Sequence, residues 1–190
     1  MKTVENTRDK ILETSYELLG DEGLENLHAR VIAAKMQVNH ATIHYYYKTR
    51  ADLLVGVAEH ALAKLERDQA KFVDAAPAGE ALASTLALYE AYCQPQSRFF
   101  KVWASLFVAG QASEDVRKVL DRFTDHWFGT LDTSIRRTRD AGVKVRKGAL
   151  RQAEILASTL LGLGLIAHLK GTSFLVSEKI DALSDQLGEK

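Results

Sequence analysis

Residues 27–54, LHARVIAAKMQVNHATIHYYYKTRADLL, constrain this chain more than any other stretch. Apolar residues recur there at helical spacing in two short runs separated by a tight turn. Asn39 is a strong N-cap for HATIHYYY, which takes Val38, Ile43 and Tyr47 as its apolar side. The run before it takes Asn26 or His28 as its cap and turns Ala29, Ile32 and Ala33 inward. Thr49-Arg50-Ala51-Asp52 reads as a capping box, with Asp in place of the commoner Glu, and launches a long helix. Helices as short as the first two are not stable alone, so they need a further helix behind them.

A rotation of about 100° per residue sorts the faces of the second short helix. With Ile43 inward, Ala41 and Tyr45 lie almost opposite, flanked by Thr42 and His44. Between Asn26 and Ala51 there is no Asp or Glu, although 26% of the chain is charged. The same window holds Arg30, Lys35, Lys48 and Arg50 with His28, His40 and His44. An acid-free face of hydroxyl, imidazole and cationic groups suits a polyanion, and a helix-turn-helix suits a DNA groove. Thr42, Tyr45, Tyr46 and Lys48 read as groups that position such a helix on phosphates. His40 and His44 either reach base edges or stay in solvent. The bland alternative is a solvated three-helix bundle that lacks acids by chance.

The remaining chain reads as helical throughout. Two prolines among 190 residues, with 46% hydrophobic residues, support a nearly all-α core. Thr7 is expected to cap a first helix over about 8–21, closed by a left-handed Gly23, with Leu24 plugging the small core. The long helix from Arg50 carries Leu53, Leu54, Val57, Ala58, Ala61, Leu62, Leu65 and Phe72 inward until the break at 74–79. Helices follow over about 79–93, ended by Pro95, and 97–109. Ser113 caps another that runs to Gly142. A loop over 143–148 leads to a second long helix ending near Gly171, and Ser177 caps a final one.

The zero net charge means that any nucleic acid is met by a local patch and not by a global field. The single cysteine, Cys93, excludes a disulfide framework and a Cys-based zinc site, and fits a reducing cytoplasm. It reads as a buried structural thiol. The polar N-terminus has no signal-peptide pattern. Residues 155–169 fall short of the ~20 that a membrane span needs. No metal-ligand spacing, nucleophile elbow, phosphate loop or paired acids mark an enzyme, and no cofactor or metal is implied.

At this point the pattern is recognisable. Residues 7–57 resemble the DNA-binding domain of the tetracycline-repressor (TetR) family of bacterial transcriptional regulators. The likeness rests on ILETSYELLGDEGLENL followed by RVIAAKMQVNHATIHYYYKTRADLL in the same order and spacing. It implies that Asn39, Ala41, Thr42, His44, Tyr45 and Tyr46 face DNA while His28 and Lys48 touch phosphates. Gln37 stands where a turn glycine is usual, Leu27-His28 where two Ser/Thr residues are usual, and His44 where a tyrosine is usual. The first departure is expected to strain the turn, and the others suggest an operator of this chain's own.

The resemblance further implies a helix-turn-helix domain over 1–50 and a helical ligand-binding and dimerisation domain over 51–190. The partners would be a palindromic double-stranded operator, a second copy of the chain and a small-molecule effector, with no membrane. Tyr89, Tyr92, Phe99, Trp103, Phe107, Phe123 and Trp127 either line a ligand cavity or fill a core. The resemblance favours a cavity of Tyr89, Tyr92, Trp103, Phe107, Phe123 and Trp127. Buried Trp and Tyr need polar partners, and Ser105, Thr124 and His126 stand near in sequence. His168 reads as a satisfied core or interface histidine. The two long helices read as a homodimer interface, each with more apolar face than one copy covers. The basic cluster Arg136, Arg137, Arg139, Lys144, Arg146, Lys147 and Arg151 reads as a solvated face. The other reading is a helical protein-interaction module without DNA binding.

Overall fold

The computed structural model describes residues 2–145, 153–170 and 176–187. Among them the chain forms nine α-helices and no strand. The helices are α1 Lys2–Glu22, α2 Ala29–Met36, α3 His40–Tyr46, α4 Arg50–Gln69, α5 Ala81–Cys93, α6 Phe99–Gly110, α7 Glu114–Asp140, α8 Ala153–Lys170 and α9 Val176–Leu187. They divide into two compact units. Unit 1 holds 1–64 and 101–122, and unit 2 holds 65–100 and 123–190. These packing units do not divide at the expected 50/51. Helices α4, α6 and α7 are each continuous in both.

In unit 1, Ile11, Leu18 and Leu19 of α1, Ile32 of α2, Ile43 of α3 and Val57 of α4 form a buried core. Leu27 is fully buried there, whereas Leu24 is half-buried, so the plug sits three residues later than expected. Helix α1 begins at Lys2, which places Thr7 inside it. A good capping residue permits a helix start but does not force one, and nothing in 2–6 breaks a helix. Gly23 has φ 81 and ψ 177, positive in φ but extended in ψ, a region open to glycine and not the left-handed helical one. Arg122 of α7 pairs with Glu59 of α4 within the same unit.

The turn between α2 and α3 carries the expected strain. Gln37 sits at φ 57, ψ 41, the left-handed region. Its N–H bonds Ala34 O at 3.2 Å and the Val38 N–H bonds Ala33 O at 3.0 Å, the paired closure of a Schellman turn. Val38 is consequently spent on the turn and is more than a third exposed instead of buried. A side chain in this region costs roughly 1–2 kcal/mol, part of which glycine returns as unfolded-state entropy. Gln37→Gly is therefore expected to raise stability by about 0.5–1 kcal/mol, read as a higher midpoint in urea unfolding. A lower midpoint would show that the Gln37 side chain contributes more than the turn costs.

In unit 2 the end of α4 changes phase. Ala70–Asp74 continue it as a turn of π-helix. The wider turn inserts an extra residue, so Val73 is buried at 1% exposure while Phe72, expected inward, is 49% exposed. Arg137 of α7 caps this turn, its guanidinium donating to the carbonyls of Val73, Asp74 and Ala76. Gly142 closes α7 at φ 85, and Ser113 caps its start through the Val116 N–H, both as expected.

Helix α7 buries its apolar side, including Phe123, Leu131 and Ile135, and turns Asp121, Asp125, Thr133 and Arg136 outward. It does not carry the spare apolar face expected of it. Helix α8 does, leaving Ile155, Leu165, Ile166 and Leu169 exposed. At 18 residues α8 is by length and composition alone long enough to cross a membrane, more than the sequence reading allowed. The core helix of a folded unit passes the same test, and a third of α8 is buried in this fold. Ser177 lies within α9 and does not cap it. The loop beyond residue 145 and the end expected at Gly171 lie outside the described residues.

Candidate nucleic-acid interface and candidate ligand cavity

Helix α3 is capped at its start and followed by a capping box that starts α4. Asn39 Oδ1 accepts the Ala41 N–H at 2.9 Å. After α3, Thr49 and Asp52 cap α4 reciprocally: the Thr49 N–H bonds Asp52 Oδ2 at 2.9 Å and the Asp52 N–H bonds Thr49 Oγ1 at 3.0 Å. Ile43 and Tyr47 face inward, and the Arg8 Nε donates to the Tyr47 hydroxyl at 3.4 Å. That bond is the largest cause raising the Arg8 pKa above its ordinary value.

The opposite face is open. His40, Ala41, His44 and Tyr45 are exposed, Tyr45 at 78%, and Thr42 and Tyr46 are half-buried. The His40 and His44 rings meet edge to face, as do Tyr45 and Tyr46. His28, Asn39 and Lys48 are exposed at the margins. His28 occupies the N-cap of α2 without a side-chain bond, leaving its ring uncommitted to the cap.

Beside α3 an open cleft of about 480 Å³ has His28, Arg30, His44, Thr49 and Arg50 on its polar rim. Arg30 and Arg50 were not among the residues expected to touch DNA. The signal for them was the acid-free window itself, which leaves their charge unopposed on this side. Arg50 also donates to Leu24 O, so its guanidinium is held in place. Lys35, from the same window, instead pairs with Glu22 of α1 at 2.8 Å.

Unit 2 contains a cavity of about 30 Å³, lined by Gln69 of α4, Thr85, Tyr89 and Tyr92 of α5, and Trp127 and Thr130 of α7, and closed by four leucines. At ~10–15 Å³ per water it takes two or three waters, well below the ~300–1,000 Å³ of drug-sized pockets. Tyr89, Tyr92 and Trp127 of the expected ligand set are thus brought together. Phe123 packs behind them against Phe99 and Trp127. Trp103 and Phe107 belong to unit 1, Trp103 fully buried and Phe107 half-buried, and neither lines this cavity.

The polar partners of the lining aromatics are also not those expected. Tyr92 donates to Asp68 Oδ2 at 3.0 Å, and Trp127 Nε1 donates to Ala157 O at 3.1 Å. The Tyr89 hydroxyl accepts the Gly164 N–H at 3.0 Å. Ser105 bonds back to Lys101 O, and the buried His126 Nε2 has no hydrogen-bond partner among the described residues. Every fourth residue of α7 adds a hydroxyl along this seam. Thr130 donates to Gln69 at 2.6 Å, Ser134 pairs with Thr85 at 2.6 Å, and Thr138 accepts the Leu82 N–H at 3.0 Å.

Burial pushes the Tyr89 phenol well above its ordinary range, with neighbouring Cys93 a further cause. It pushes the Cys93 thiol up to about 11, so the thiol is protonated and unreactive at neutral pH, the structural cysteine expected. His168 is half-buried with its ring nitrogens 3.0 Å from Gly164 O and 3.1 Å from Ser97 O, two acceptors of which a neutral ring donates to one. In the basic cluster, Arg136 pairs with Asp132 and Arg139 with Asp140, and Arg137 caps the π-turn. Arg146, Lys147 and Arg151 lie outside the described residues.

A capped, exposed short helix on a three-helix base, followed by a helical unit with an aromatic cavity, is a helix-turn-helix arrangement. Residues 11–57 match the family of bacterial regulatory proteins of the tetR type. The whole chain is similar to a transcriptional regulator from Saccharomonospora viridis in complex with choline, at 26% identity over 95% of both chains with a TM-score of 0.78. It also shares its fold with a TetR transcription regulator from Haloarcula marismortui, at 20% identity over 97% of this chain and 100% of that one with a TM-score of 0.81. The same holds for the reduced form of NemR from E. coli, at 18% identity over 96% of both chains with a TM-score of 0.77. No curated protein matches. Residues 11–57 thus carry a segment like the one that defines that family, and the fold is the one these regulators share.

Proposed function

We propose that the protein is a cytoplasmic, homodimeric repressor that binds a palindromic operator and is released by a small molecule. The observation that carries this is the Asn39-capped helix α3, with His40, Ala41, His44 and Tyr45 exposed and no acid between Asn26 and Ala51. In this reading residues 1–50 are the reading head and 51–190 the ligand and dimer part. Residues 40–46 enter a major groove, where His40 and His44 read base edges. Asn39, Ala41, Thr42, Tyr45 and Tyr46 line the contact, and His28 and Lys48 meet phosphates, joined by Arg30 and Arg50. Two heads reach half-sites ~34–36 Å apart or a multiple of that. The apolar residues that α8 leaves exposed support pairing with a second copy through that helix.

The effector would enter at the cavity of Tyr89, Tyr92 and Trp127, which has to widen to admit it, and the choline complex of the relative at 26% identity supports a small-molecule effector. Gln69 lines the cavity and is the last residue of α4, whose first residue is Arg50 on the rim of the DNA-side cleft. A ligand that displaces Gln69 therefore acts on the helix that launches from the reading head. Weakening operator binding 100-fold requires a preference of about 2.7 kcal/mol for the DNA-incompetent state.

Gel shift against the DNA upstream of the protein's own gene tests this reading. Binding is expected to weaken steeply with salt, and Lys48→Ala, which removes one phosphate contact from each of the two heads, to lower the salt slope by about 1.8. Tyr45→Ala together with Lys48→Ala is expected to abolish the shift while light scattering still reports a dimer. Undiminished binding by the double variant would remove α3 as the reading helix, and a monomer at micromolar concentration would remove the α8 interface.

A further inference from the structure

We infer that His40 and His44 form a bidentate site for a late first-row divalent cation, Cu²⁺ or Ni²⁺ ahead of Zn²⁺, on the open face of α3. The inference comes from what each of the six histidines is bonded to. His60 stands 2.8 Å from Glu13, His168 lies against two carbonyl oxygens, and the Nε2 of His126 is buried. His28, His40 and His44 are exposed, and none has a hydrogen bond or ion pair among the described residues. His40 and His44 are also one helical turn apart within α3, so their side chains project side by side. Their ring centroids are 6.1 Å apart, edge to face. A metal bonded to one nitrogen of each ring at ~2.0–2.1 Å, in neighbouring coordination positions, sets the centroids about 4.5–5 Å apart. Rotation of two exposed side chains closes that difference, while the Asn39 cap and the buried Ile43 hold the backbone between them.

The donor set selects the metal. Two neutral imidazoles supply nitrogen, and the window between Asn26 and Ala51 holds no carboxylate or thiol side chain. Mg²⁺ and Ca²⁺, which take oxygen ligands, find no side chain to bind there. Imidazole suits Cu²⁺, Ni²⁺ and Zn²⁺, and the general order of affinity puts Cu²⁺ first. Two adjacent nitrogens, with water at the other positions, fit the tetragonal geometry of Cu²⁺ and Ni²⁺. His28 borders the cleft with His44, yet no group of three such ligands comes together among the described residues. The pair is therefore not a catalytic or structural centre, which holds its metal by three or four protein ligands. Arg30, Lys48 and Arg50 in the same window weaken the hold on any cation, so the ion exchanges with solvent. The consequence for the operator rests on the proposed function, in which both rings read base edges. A ring nitrogen that holds a metal cannot also bond a base, so metal and operator each lower the affinity of the other.

The test is calorimetric titration of the full chain, without a polyhistidine tag, with Cu²⁺, Ni²⁺ and Mg²⁺. One Cu²⁺ or Ni²⁺ per chain is expected, and electron paramagnetic resonance of the Cu²⁺ complex should show two equatorial nitrogens. His40→Ala and His44→Ala should each weaken binding at least tenfold. The double variant should be little worse than either, because a lone imidazole no longer chelates. His60→Gln should leave the titration unchanged. No binding of Cu²⁺ or Ni²⁺ by the unaltered chain, equal binding of Mg²⁺, or a site that survives in the double variant overturns the inference. Operator binding is read separately by gel shift of the unaltered chain, where Ni²⁺ should remove the shift and a chelator restore it. A metal-loaded chain that still shifts the operator leaves the metal site standing and removes His40 and His44 from the base edges. A chain that shifts the operator but takes up no metal does the reverse.

Discussion

Gly164→Ala is expected to destabilise the chain by about 2 kcal/mol, although alanine is the better helix former. Gly164 lies inside α8, and a Cβ placed on it would fall well within van der Waals distance of three ring carbons of Phe100. That ring has no room to withdraw. It is 1% exposed and boxed by Phe99 at 5.0 Å, Tyr89 at 5.7 Å and His168 at 5.7 Å between ring centroids. Forcing a methyl into such packing costs about 1–3 kcal/mol and more where nothing can shift, and the helix propensity of alanine returns up to ~1 kcal/mol. The Gly164 N–H also donates to the Tyr89 hydroxyl, so displacing α8 there disturbs the cavity wall as well. Thermal unfolding at fixed protein concentration should show a fall of roughly 4–8 °C. Gly129→Ala is the control. Gly129 is exposed in α7 with nothing within 4 Å of its would-be Cβ, so it should stabilise by about 0.5–1 kcal/mol. If both substitutions moved the midpoint the same way, Phe100 would not be seated on Gly164.

The contrast between these two glycines shows where sequence reading stops. Gly162 and Gly164 read in sequence as places for close helix approach, yet only Gly164 has a ring against it, Phe100, and that ring lies 64 residues away in the chain, while nothing stands within 4 Å of Gly162 or Gly129. Features made by a few consecutive residues were legible. The Asn39 cap, the Thr49–Asp52 box, the Ser113 cap and the strained Gln37 turn all appear in the structure as read, because their chemistry closes within four residues. The face of α3 was legible for the same reason, since rotation per residue settles it once Ile43 is inward.

Phase over longer distances was less secure. A regular helix from Arg50 would bury Phe72, but the π-turn adds a residue and buries Val73, and the Arg137 cap that accompanies that turn comes from 64 residues later in the chain. The aromatic set was sound in composition and mixed in location. Tyr89, Tyr92 and Trp127 meet at the cavity, while Trp103 and Phe107 have the same spacing and character but belong to unit 1. Which of several equivalent aromatics faces a cavity depends on how helices pack, and that information is not in their periodicity. The same limit applies to the expected dimer face. The α7 sequence has apolar residues enough for two interfaces, yet the fold uses them internally, and α8 is the helix that leaves them exposed.

The other large effect expected is on DNA binding, from a position that cannot touch DNA. Gly56 is in α4, and a Cβ there would lie 2.8 Å from Tyr47 Cε1, 3.0 Å from Leu12 Cδ2 and 3.2 Å from the Tyr47 hydroxyl oxygen. Tyr47 is the residue that ends α3, buried at 6% exposure and bonded through its hydroxyl to Arg8. The Gly56→Ala methyl must push this ring, and the ring carries the end of the reading helix with it. In the proposed function α3 has to fit the groove from both copies at once, so a small tilt is felt twice. Operator affinity should fall at least tenfold, equivalent to about 1.4 kcal/mol, while stability falls by about 1–2 kcal/mol. The salt slope should stay the same, since no phosphate contact is removed. Shortening the ring should relieve the clash. In Gly56→Ala combined with Tyr47→Leu, the loss in stability should be smaller than the sum of the two single losses by about 1 kcal/mol. Strict additivity would mean that the methyl is accommodated by Leu12 alone, and the seat of α3 would then not depend on Gly56.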